Sequence, residues 1–482
     1  PWQDSIMLLT ETMIRGVIMR LRSIMLITLL GLCLAAMPAE RRSVKMLTVA
    51  NGSIVIDGRN DDWASMGKAF TNARLVPDLS KSLMFFNPDQ GEYAGPDDMS
   101  FEAWLANDKD NFYVLAHVRD QLLFNDAEAN FWEGDDLELF IDANPVATRY
   151  AKARNENCIQ FMFLPRHMSL SRATDAKAMW TDKPIPGLQM ASRLRPCGYN
   201  MEIKIPKTSI PYWKLHPEMN SIGFDLSISD SDTPGIDSHH GPMKYIGYLL
   251  NPGNHFTTSE FLTEVAATPE INKMTPKKIP QSPPVNMKKV LKAIADAKAD
   301  NAEEAAGMAI DIMDDPAAAQ IANAALASPY RILRKAGLFI LAKRPELATG
   351  ADKMIAGLRT PATDGYLFDP ELIIYSLAAL AEQHKLPVSD DFNTRFGESF
   401  SVTVRLTYAW CLGINGDHAA VPFLAKQTTD KNMRVRIKAA LALGALDDPA
   451  GLPALNTMTA TDHRYAQDAA KAAIALINKN VK

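Results

Sequence analysis

The chain has 482 residues, of which 47% are hydrophobic and 22% are charged, and this composition is that of a globular protein. Because a domain averages roughly 150 residues, the length predicts two or three domains. The formal net charge of -5 provides no overall basic field, which argues against nucleic acid as a partner.

The first 39 residues have the layout of a targeting segment. From Met19 the chain reads Met-Arg-Leu-Arg, continues with an apolar run over residues 24–37, and then reaches Pro38 and Ala39. A basic start, a short apolar stretch and small residues near the cut are typical of a secretory signal peptide. We therefore expect residues 1–39 to be an upstream extension and a signal peptide. The protein should be secreted, periplasmic or part of the cell envelope, with membrane contact only if the signal is not cleaved.

Residues 46–268 contain a series of predicted short strands. Seven apolar or alternating runs are separated by Asn, Asp, Gly and Pro, which favour turns. The runs lie at residues 101–106, 112–118, 137–141, 159–164, 201–205, 222–228 and 245–250. Many short strands with turn residues between them indicate an all-β antiparallel sandwich of jelly-roll or immunoglobulin type.

The segment 131–142 places a carboxylate inside an apolar strand, just after a large aromatic residue. Leu137, Leu139 and Ile141 alternate with Glu138, so the carboxylate lies on the opposite strand face, and Trp132 precedes the strand. An aromatic ring covers the C–H face of a sugar, and a carboxylate accepts hydrogen bonds from its hydroxyls. Two alternatives stay open, namely packing of Trp132 in the interior and an ion pair of Glu138 on the sheet surface.

Three aspartates, Asp230, Asp232 and Asp237, follow the strand predicted at residues 222–228. Carboxylates on a turn suit calcium, which prefers hard oxygen ligands, although the spacing is not that of an EF-hand loop. Asx-turns explain the same residues without a metal. A structural calcium ion is therefore the one cofactor that the sequence suggests.

The second half of the chain is predicted to be helical. Residues 269–286 contain four prolines without periodicity and read as a linker. Residues 287–482 are rich in Ala, Leu, Lys and Asp at helical spacing and contain an internal repeat. Val404-Arg405, Gly413, Asp417, Pro422 and Leu424 recur 31 residues later as Val435-Arg436, Gly444, Asp448, Pro453 and Leu455. Each unit predicts a helix, a Gly/Asp turn and a second helix that begins at proline, and such pairs stack into a solenoid.

The strand-rich half resembles the family 9 carbohydrate-binding modules, and the helical half resembles HEAT-like repeats. The first resemblance rests on five segments in family order, at residues 54–63, 104–120, 131–142, 198–202 and 222–230. It implies non-catalytic binding of a polysaccharide or oligosaccharide, in the context of carbohydrate catabolism. In the first segment, Trp63 is expected to anchor the core. HEAT-like repeats mostly serve as scaffolds, which implies a protein partner for the helical half or a role in presenting the module.

In family 9 modules an aromatic pair clamps a terminal sugar. The residues that match the first aromatic and its carboxylate partner are Trp132 and Glu138, and His255 and Phe256 are nearest to the second aromatic. The arginine of the family falls near Met162. Methionine cannot replace the fork of N–H donors of a guanidinium group, so the resemblance implies weakened or altered sugar binding.

Three alternatives remain at this stage. The first is an interaction scaffold whose sandwich has lost sugar binding. The second is a haem-binding sensor, since related sandwiches bind haem through Met and His, and this chain offers His117, Met162, His167 and Met168. The third is part of a glycoside hydrolase that uses acid pairs such as Asp135 with Asp136 or Glu133 with Glu138. The sequence shows no Ser/His/Asp arrangement and no P-loop, so we expect no enzymatic activity here and place any glycosidase activity in a partner.

Overall fold

The computed structural model describes residues 43–77, 83–85, 95–96, 98–124, 134–144, 158–165, 170–174, 179–181, 185–195, 197–210, 213, 221–232, 245–249, 263–267, 286–359 and 369–480. The signal peptide predicted at residues 1–39 lies outside these ranges, as does nearly all of the linker predicted at 269–286. Among the described residues, no helix combines the length and the apolar character that crossing a bilayer requires.

The described part of the first half consists of thirteen β-strands and two short helices. The strands are β1 (Ser43–Thr48), β2 (Leu83–Phe85), β3 (Met99–Asn107), β4 (Asn111–Asp120), β5 (Asp136–Asp142), β6 (Cys158–Phe163), β7 (Leu170–Thr174), β8 (Met179–Thr181), β9 (Gln189–Arg195), β10 (Gly198–Pro206), β11 (Ser221–Asp230), β12 (Tyr245–Tyr248) and β13 (Thr263–Ala267). The helices are α1 (Asp61–Ala64) and α2 (Lys68–Asn72). Each of the seven predicted runs overlaps a strand, with the runs at 159–164 and 245–250 reaching past the ends of β6 and β12, so the all-β prediction is confirmed.

The strands form two sheets that share one strand. The first sheet has the order β8-β7-β6-β5-β11-β13, with β12 also paired to β11 and β2 paired to β12, and the second has the order β3-β4-β10-β9. β1 joins them, because its first residues pair with β13 and its last two pair with β3. Both pairings of β1 are parallel, whereas the other pairings between described strands are antiparallel. The antiparallel prediction therefore fails only at the strand that passes from one sheet to the other.

The inner faces of the two sheets form an apolar core. Leu137, Leu139 and Ile141 of β5 are fully buried in it, as the alternation predicts. The ring of Phe112 on β4 meets that of Phe224 on β11, with 5.6 Å between centroids and 63° between ring planes. This edge-to-face contact joins one sheet to the other and is typical of a sandwich.

A buried carboxylate fixes the segment that contains α1. Glu202 on β10 accepts hydrogen bonds from the backbone N–H groups of Asp57 at 2.9 Å and Gly58 at 2.8 Å, and from the indole Nε1–H of Trp63 at 2.8 Å. Trp63 is fully buried, which confirms that it anchors the core. Burial raises the pKa of Glu202 to about 8, although the three N–H donors oppose this shift.

The second half is helical throughout its described residues. The helices are α3 (Met287–Ala295), α4 (Ala302–Asp311), α5 (Ala318–Leu326), α6 (Arg331–Lys343), α7 (Ala351–Arg359), α8 (Pro370–Glu382), α9 (Asp390–Phe392), α10 (Val402–Asn415), α11 (Val421–Gln427), α12 (Met433–Leu446), α13 (Leu452–Thr461) and α14 (Arg464–Asn480). A π-helical turn (Asn393–Gly397) lies between α9 and α10. The predicted 31-residue unit corresponds to the pairs α10–α11 and α12–α13, so the helical-repeat prediction is confirmed.

Glycine sets the spacing between successive repeats. A Cβ atom added to Gly413 on α10 would lie 2.8 Å from Cα of Ala442 on α12, and one added to Gly444 would lie 2.8 Å from Cα of Ala473 on α14. Gly444 lies one repeat after Gly413, and Ala473 lies one repeat after Ala442, so the second contact repeats the first. The repeated glycine therefore permits a close approach of helices that any side chain would block.

The sandwich packs directly against the solenoid, which the sequence did not predict. Arg193 of β9 donates from Nε to Asp311 of α4 at 2.7 Å. The backbone N–H of Leu123 donates to the hydroxyl of Tyr375 on α8 at 2.8 Å, and the rings of Phe124 and Tyr375 lie 5.8 Å apart. The buried apolar residues of the two halves form one continuous cluster. The solenoid is therefore not an independent arm.

We predict that Gly444→Ala and Gly413→Ala each destabilise the protein by about 1–3 kcal/mol, because the added methyl group overpacks the helix contact. The matched control is Gly307→Ala on α4, where an added Cβ would meet no atom within 4 Å. That change should be neutral or stabilise by roughly 0.5–1 kcal/mol through helix propensity. Urea unfolding followed by circular dichroism measures all three, and equal effects at the three sites would contradict the packing argument.

We also predict a pH-dependent contribution from Glu202. Its pKa is about 8 in the folded protein against 4.5 for the free group, so between these values the folded state holds a proton that the unfolded state has lost. The stability contributed by Glu202 is therefore present at low pH and declines as the pH rises through this window. Compared with Glu202→Gln, the wild type should lose unfolding free energy between about pH 5 and pH 8. A difference between the two proteins that is constant over this range would disprove the assignment.

Candidate functional site

Glu138 lies on the face of β5 that points away from the core. It is fully buried, and its Oε2 accepts a hydrogen bond from Nε2 of Gln160 on β6 at 2.9 Å. The strand register places it opposite Met162 on one side and Ser227 of β11 on the other. Because Glu138 has no exposed surface, the alternative of a surface ion pair is wrong.

Met162 occupies the position at which the family resemblance predicts an arginine, beside Glu138. Met162 lies directly across from Glu138 and is buried, so a thioether stands where a guanidinium would face the carboxylate. Among the described residues, Gln160, two residues before Met162 on the same face of β6, donates an N–H to Glu138. The sequence analysis did not single out Gln160, although the two-residue period of the strand places it beside Met162.

The outward face of the first sheet is polar and buried. The inward residues of β11 belong to the apolar core, while its outward residues are acids and hydroxyls. Among the described residues, the buried polar residues on the outward face of β5, β6 and β11 are Asp136, Glu138, Asp142, Gln160, Asp225, Ser227 and Ser229. This face offers carboxylate, amide and hydroxyl groups, which are the groups that hydrogen-bond to sugar hydroxyls.

The aromatic part of the expected sugar site, Trp132 with His255 and Phe256, lies outside the described residues. These three residues therefore stay a prediction. The described residue nearest to Trp132 along the chain is Gly134, which precedes β5. The same strand carries Glu138, so the carboxylate is the member of the predicted set that the structure places.

A second group of polar side chains forms an acidic cluster at one end of the sandwich. It consists of two triads that share Asp230, namely Asp98 with Asp230 and Asp232, and Asp120 with Asp135 and Asp230. Within each triad one carboxylate oxygen of every member lies within 4.8 Å of the others. Calcium binds carboxylate oxygens at about 2.3–2.6 Å, so this spacing suits one ion between three carboxylates.

Backbone and amide donors hold four members of the acidic cluster in place. Asp120 accepts from the N–H of Leu122 at 2.8 Å, and Asp135 accepts from the N–H of Ser231 at 2.7 Å. Nε2 of Gln121 donates to both Asp98 and Asp232, the latter at 3.0 Å.

Asp230 differs from the other members of the acidic cluster. It is buried, and among the described residues neither of its carboxylate oxygens has a hydrogen-bond partner. A buried carboxylate in this state needs a proton or a cation.

The acidic cluster has strongly shifted proton affinities. Burial raises the pKa of Asp120, Asp135 and Asp230 well above the usual value, and the neighbouring carboxylates raise it further. Burial, followed by the charge of Asp98, raises the pKa of Asp232 to about 7. Like charges held this close cannot all be ionised unless a cation compensates them.

The sequence located this cluster only in part. Asp230 and Asp232, two of the three aspartates predicted as calcium ligands, lie close together, while Asp237 lies outside the described residues. Asp98, Asp120 and Asp135 were missed as members because they come from other parts of the chain. The pairing of β3 with β4 brings the ends of these strands together, and no spacing within one segment reveals this.

The structure also argues against the haem-binding and glycoside-hydrolase alternatives. His117 lies on the outer face of the second sheet, with Nδ1 3.4 Å from Glu102 and its ring against Trp104, whereas Met162 lies on the outer face of the first sheet. The two therefore cannot ligate one haem iron, and His167 and Met168 lie outside the described residues. Asp135 is buried and held by backbone donors, which does not suit an acid in an open glycosidase cleft.

Comparisons with known proteins match both halves of the chain. Residues 80–243 match the family described as Carbohydrate family 9 binding domain-like, and residues 396–475 match HEAT repeats. An exoglucanase XynX of Acetivibrio thermocellus is 28% identical over 195 residues, which is 40% of this chain and 15% of that protein. An endo-1,4-beta-xylanase A of Thermoanaerobacterium saccharolyticum is 27% identical over 196 residues, 40% of this chain and 14% of that protein. The chain thus spans about 15% of the length of these relatives.

Two solved structures are similar to parts of this chain. A family 9 carbohydrate-binding module from Caldicellulosiruptor kristjanssonii in complex with cellotriose covers 50% of this chain and all of its own, at 20% identity and a TM-score of 0.33. Human deoxyhypusine hydroxylase in complex with glycerol covers 40% of this chain and 73% of its own, at 16% identity and a TM-score of 0.20. Taken with the family matches, the fold described above shows that this chain carries a family 9 carbohydrate-binding-like β-sandwich followed by a region of HEAT repeats.

Proposed function

We propose that this protein binds a polysaccharide or oligosaccharide without catalysis, through the outward face of β5, β6 and β11. The observation that carries the proposal is the buried pair of Glu138 and Gln160 inside the segment that matches the carbohydrate-binding family. A carboxylate and an amide side by side supply acceptors and a donor for sugar hydroxyls in a site from which water is largely excluded.

In this mechanism Trp132 stacks on the C–H face of a sugar ring, Glu138 accepts hydrogen bonds from its hydroxyls, and His255 or Phe256 closes the site. Gln160 positions Glu138 through the hydrogen bond from its Nε2. Met162 replaces the guanidinium of the family, so recognition relies more on stacking and less on charge-assisted donors.

The matched proteins named as a glucanase and a xylanase support a setting in carbohydrate catabolism. We propose that this protein is secreted or attached to the envelope, and that any glycosidase activity belongs to a partner. Among the described residues, α4, α6 and α8 contact the sandwich, so we propose that a protein partner would use the later repeats, α10 to α14.

We further propose that the acidic cluster holds a structural calcium ion. The buried carboxylate of Asp230, which lacks a hydrogen-bond partner among the described residues, is shared by both triads. A calcium ion would be held by Asp230 together with Asp98 and Asp232, or with Asp120 and Asp135, and would remove the repulsion between them. Asp237, the third aspartate predicted from the sequence as a calcium ligand, lies outside the described residues.

A second candidate function is an interaction scaffold whose sandwich no longer binds sugar. Met162 favours it, because a methionine at the position opposite Glu138 on β6 cannot donate a hydrogen bond. The same titration with glycans distinguishes the two functions.

We predict that the full chain binds members of a glycan panel and that Trp132→Ala abolishes this binding. Glu138→Gln should weaken it about tenfold or more, because a hydrogen bond to a charged group contributes roughly 1.5–3 kcal/mol. Phe400→Ala is the matched control, since Phe400 is a fully exposed aromatic residue on the solenoid and should not affect binding. Binding of equal strength by Trp132→Ala would contradict the site, and the absence of binding to any glycan would favour the scaffold.

We predict that calcium raises the thermal unfolding midpoint of the full chain and that a chelator lowers it. Because the carboxyl groups must lose their protons to bind the ion, the stabilisation should grow as the pH rises from about 6 to about 8. Asp230→Asn should remove the response, whereas Asp300→Asn, at an exposed residue outside the acidic cluster, should preserve it. An unaltered response in Asp230→Asn would contradict the assignment.

A further inference from the structure

The acidic cluster and the contact between sandwich and solenoid share one short segment. This segment, Gln121–Phe124, follows β4, and we call it the junction segment. Some of its side chains and backbone N–H groups contact the acidic cluster, and others contact the solenoid. Gln121 donates to Asp98 and Asp232, and the N–H of Leu122 donates to Asp120. The next two residues contact the solenoid.

The junction segment also makes defined contacts with the solenoid. The N–H of Leu123 donates to the hydroxyl of Tyr375 at 2.8 Å. The ring of Phe124 lies 5.8 Å from that of Tyr375 and 5.6 Å from Nζ of Lys343. The N–H of Phe124 returns to the acidic cluster and donates to Asp135. Any shift of the four carboxylates that accept hydrogen bonds from the junction segment therefore displaces the groups that contact α6 and α8.

A cavity of about 410 Å³ lies beside the junction segment and has walls from both halves of the molecule. The sandwich contributes Asp98, Gln121 and Asp232, and the solenoid contributes Arg331, Asp369 and Glu371. Arg331 and Lys335 pair with the two acids of the solenoid, with Arg331 Nη2 2.9 Å and Lys335 Nζ 2.6 Å from Glu371. The solenoid wall is thus close to neutral.

The sandwich wall is formed by carboxyl groups of the acidic cluster. Among the described residues, this cluster with Asp369 and Glu371 gives seven carboxyl groups beside four basic side chains, Arg331, Lys335, Lys343 and Arg434. This set therefore holds an excess of carboxyl groups, and its members Asp98 and Asp232 line the cavity. A divalent cation at this wall would reduce the excess at the surface that faces the acids of α8.

We propose that a divalent cation held by Asp98, Asp230 and Asp232 couples the sandwich to the solenoid, so that cation binding tightens their contact through the junction segment. This inference rests on the calcium site proposed above and adds its consequence. The occupied site draws Asp98 and Asp232 together, fixes Gln121 between them, and holds Leu123 and Phe124 against Tyr375. The chemistry required is that of a hard divalent ion with oxygen ligands, and calcium is the probe.

Hydrogen exchange of the full chain tests the coupling. The amide of Leu123 reports on it directly, because its N–H bonds to a side chain of the solenoid and exchanges when that contact opens. We expect exchange of peptides covering 121–124 to slow by about tenfold or more in saturating calcium relative to a chelator. Peptides from α14, the last helix of the described solenoid, serve as the internal reference and should change little.

Reciprocity provides the second arm of the experiment. If calcium tightens the contact, then loosening the contact must weaken calcium by the same factor. Tyr375→Phe removes the hydroxyl that accepts from Leu123, and we expect it to lower the calcium affinity measured by calorimetry about fivefold or more. Tyr408→Phe is the matched control, because Tyr408 is also buried but donates its hydroxyl to Asn393 at 2.9 Å, within the solenoid. It should leave the affinity unchanged.

The outcomes separate the two proposals. Calcium binding by calorimetry with no change of exchange at 121–124 would overturn the coupling and leave the calcium site standing. The absence of calcium binding would overturn the site and the coupling together. Equal calcium affinities for Tyr375→Phe and Tyr408→Phe would also contradict the coupling. Slowed exchange in the wild type that Asp98→Asn with Asp232→Asn abolishes is the result expected from the proposal.

Discussion

Burial of a carboxylate inside a β-strand costs free energy unless the group gains donors, a proton or a cation, and this constraint shapes the whole sandwich. Glu202 gains three N–H donors and thereby fixes the segment with Trp63 against β10. Glu138 gains the amide of Gln160 and turns the outward face of the first sheet into a polar layer. Asp230 has no such donor among the described residues and lies where four further aspartates converge. A buried carboxylate therefore lies at each of three places: the contact with Trp63, the proposed sugar site and the acidic cluster beside the junction segment.

The architecture follows from where these acids lie. The acidic cluster stands at the end of the sandwich from which the junction segment reaches Tyr375, so the polar chemistry of one half adjoins the apolar contact of the other. The solenoid supplies a stiff partner, because its repeats approach closely at Gly413 and Gly444. The proposed sugar-binding face and the helical repeats are therefore parts of one packed unit.

The sequence revealed features that depend on local periodicity. Alternation located β5 and β11, and the 31-residue recurrence located α10 to α13, because both patterns persist along continuous stretches of chain. It missed β9, whose Gln-Met-Ala-Ser-Arg-Leu-Arg has no clean apolar face, and the parallel pairing of β1, which depends on two distant strands. It placed Glu138 in its strand, and the family resemblance pointed to Met162, but neither revealed Asp98, Asp120 or Asp135, since only tertiary pairing brings them to Asp230.

The central claim is that this chain captures carbohydrate and does not cleave it. The most direct measurement is a calorimetric titration of the full chain with soluble oligosaccharides, with the recovered ligand assayed for newly formed reducing ends. We expect saturable binding to at least one glycan and no release of shorter sugars. Cleavage of the bound oligosaccharide, or the absence of binding across the panel, would contradict this account.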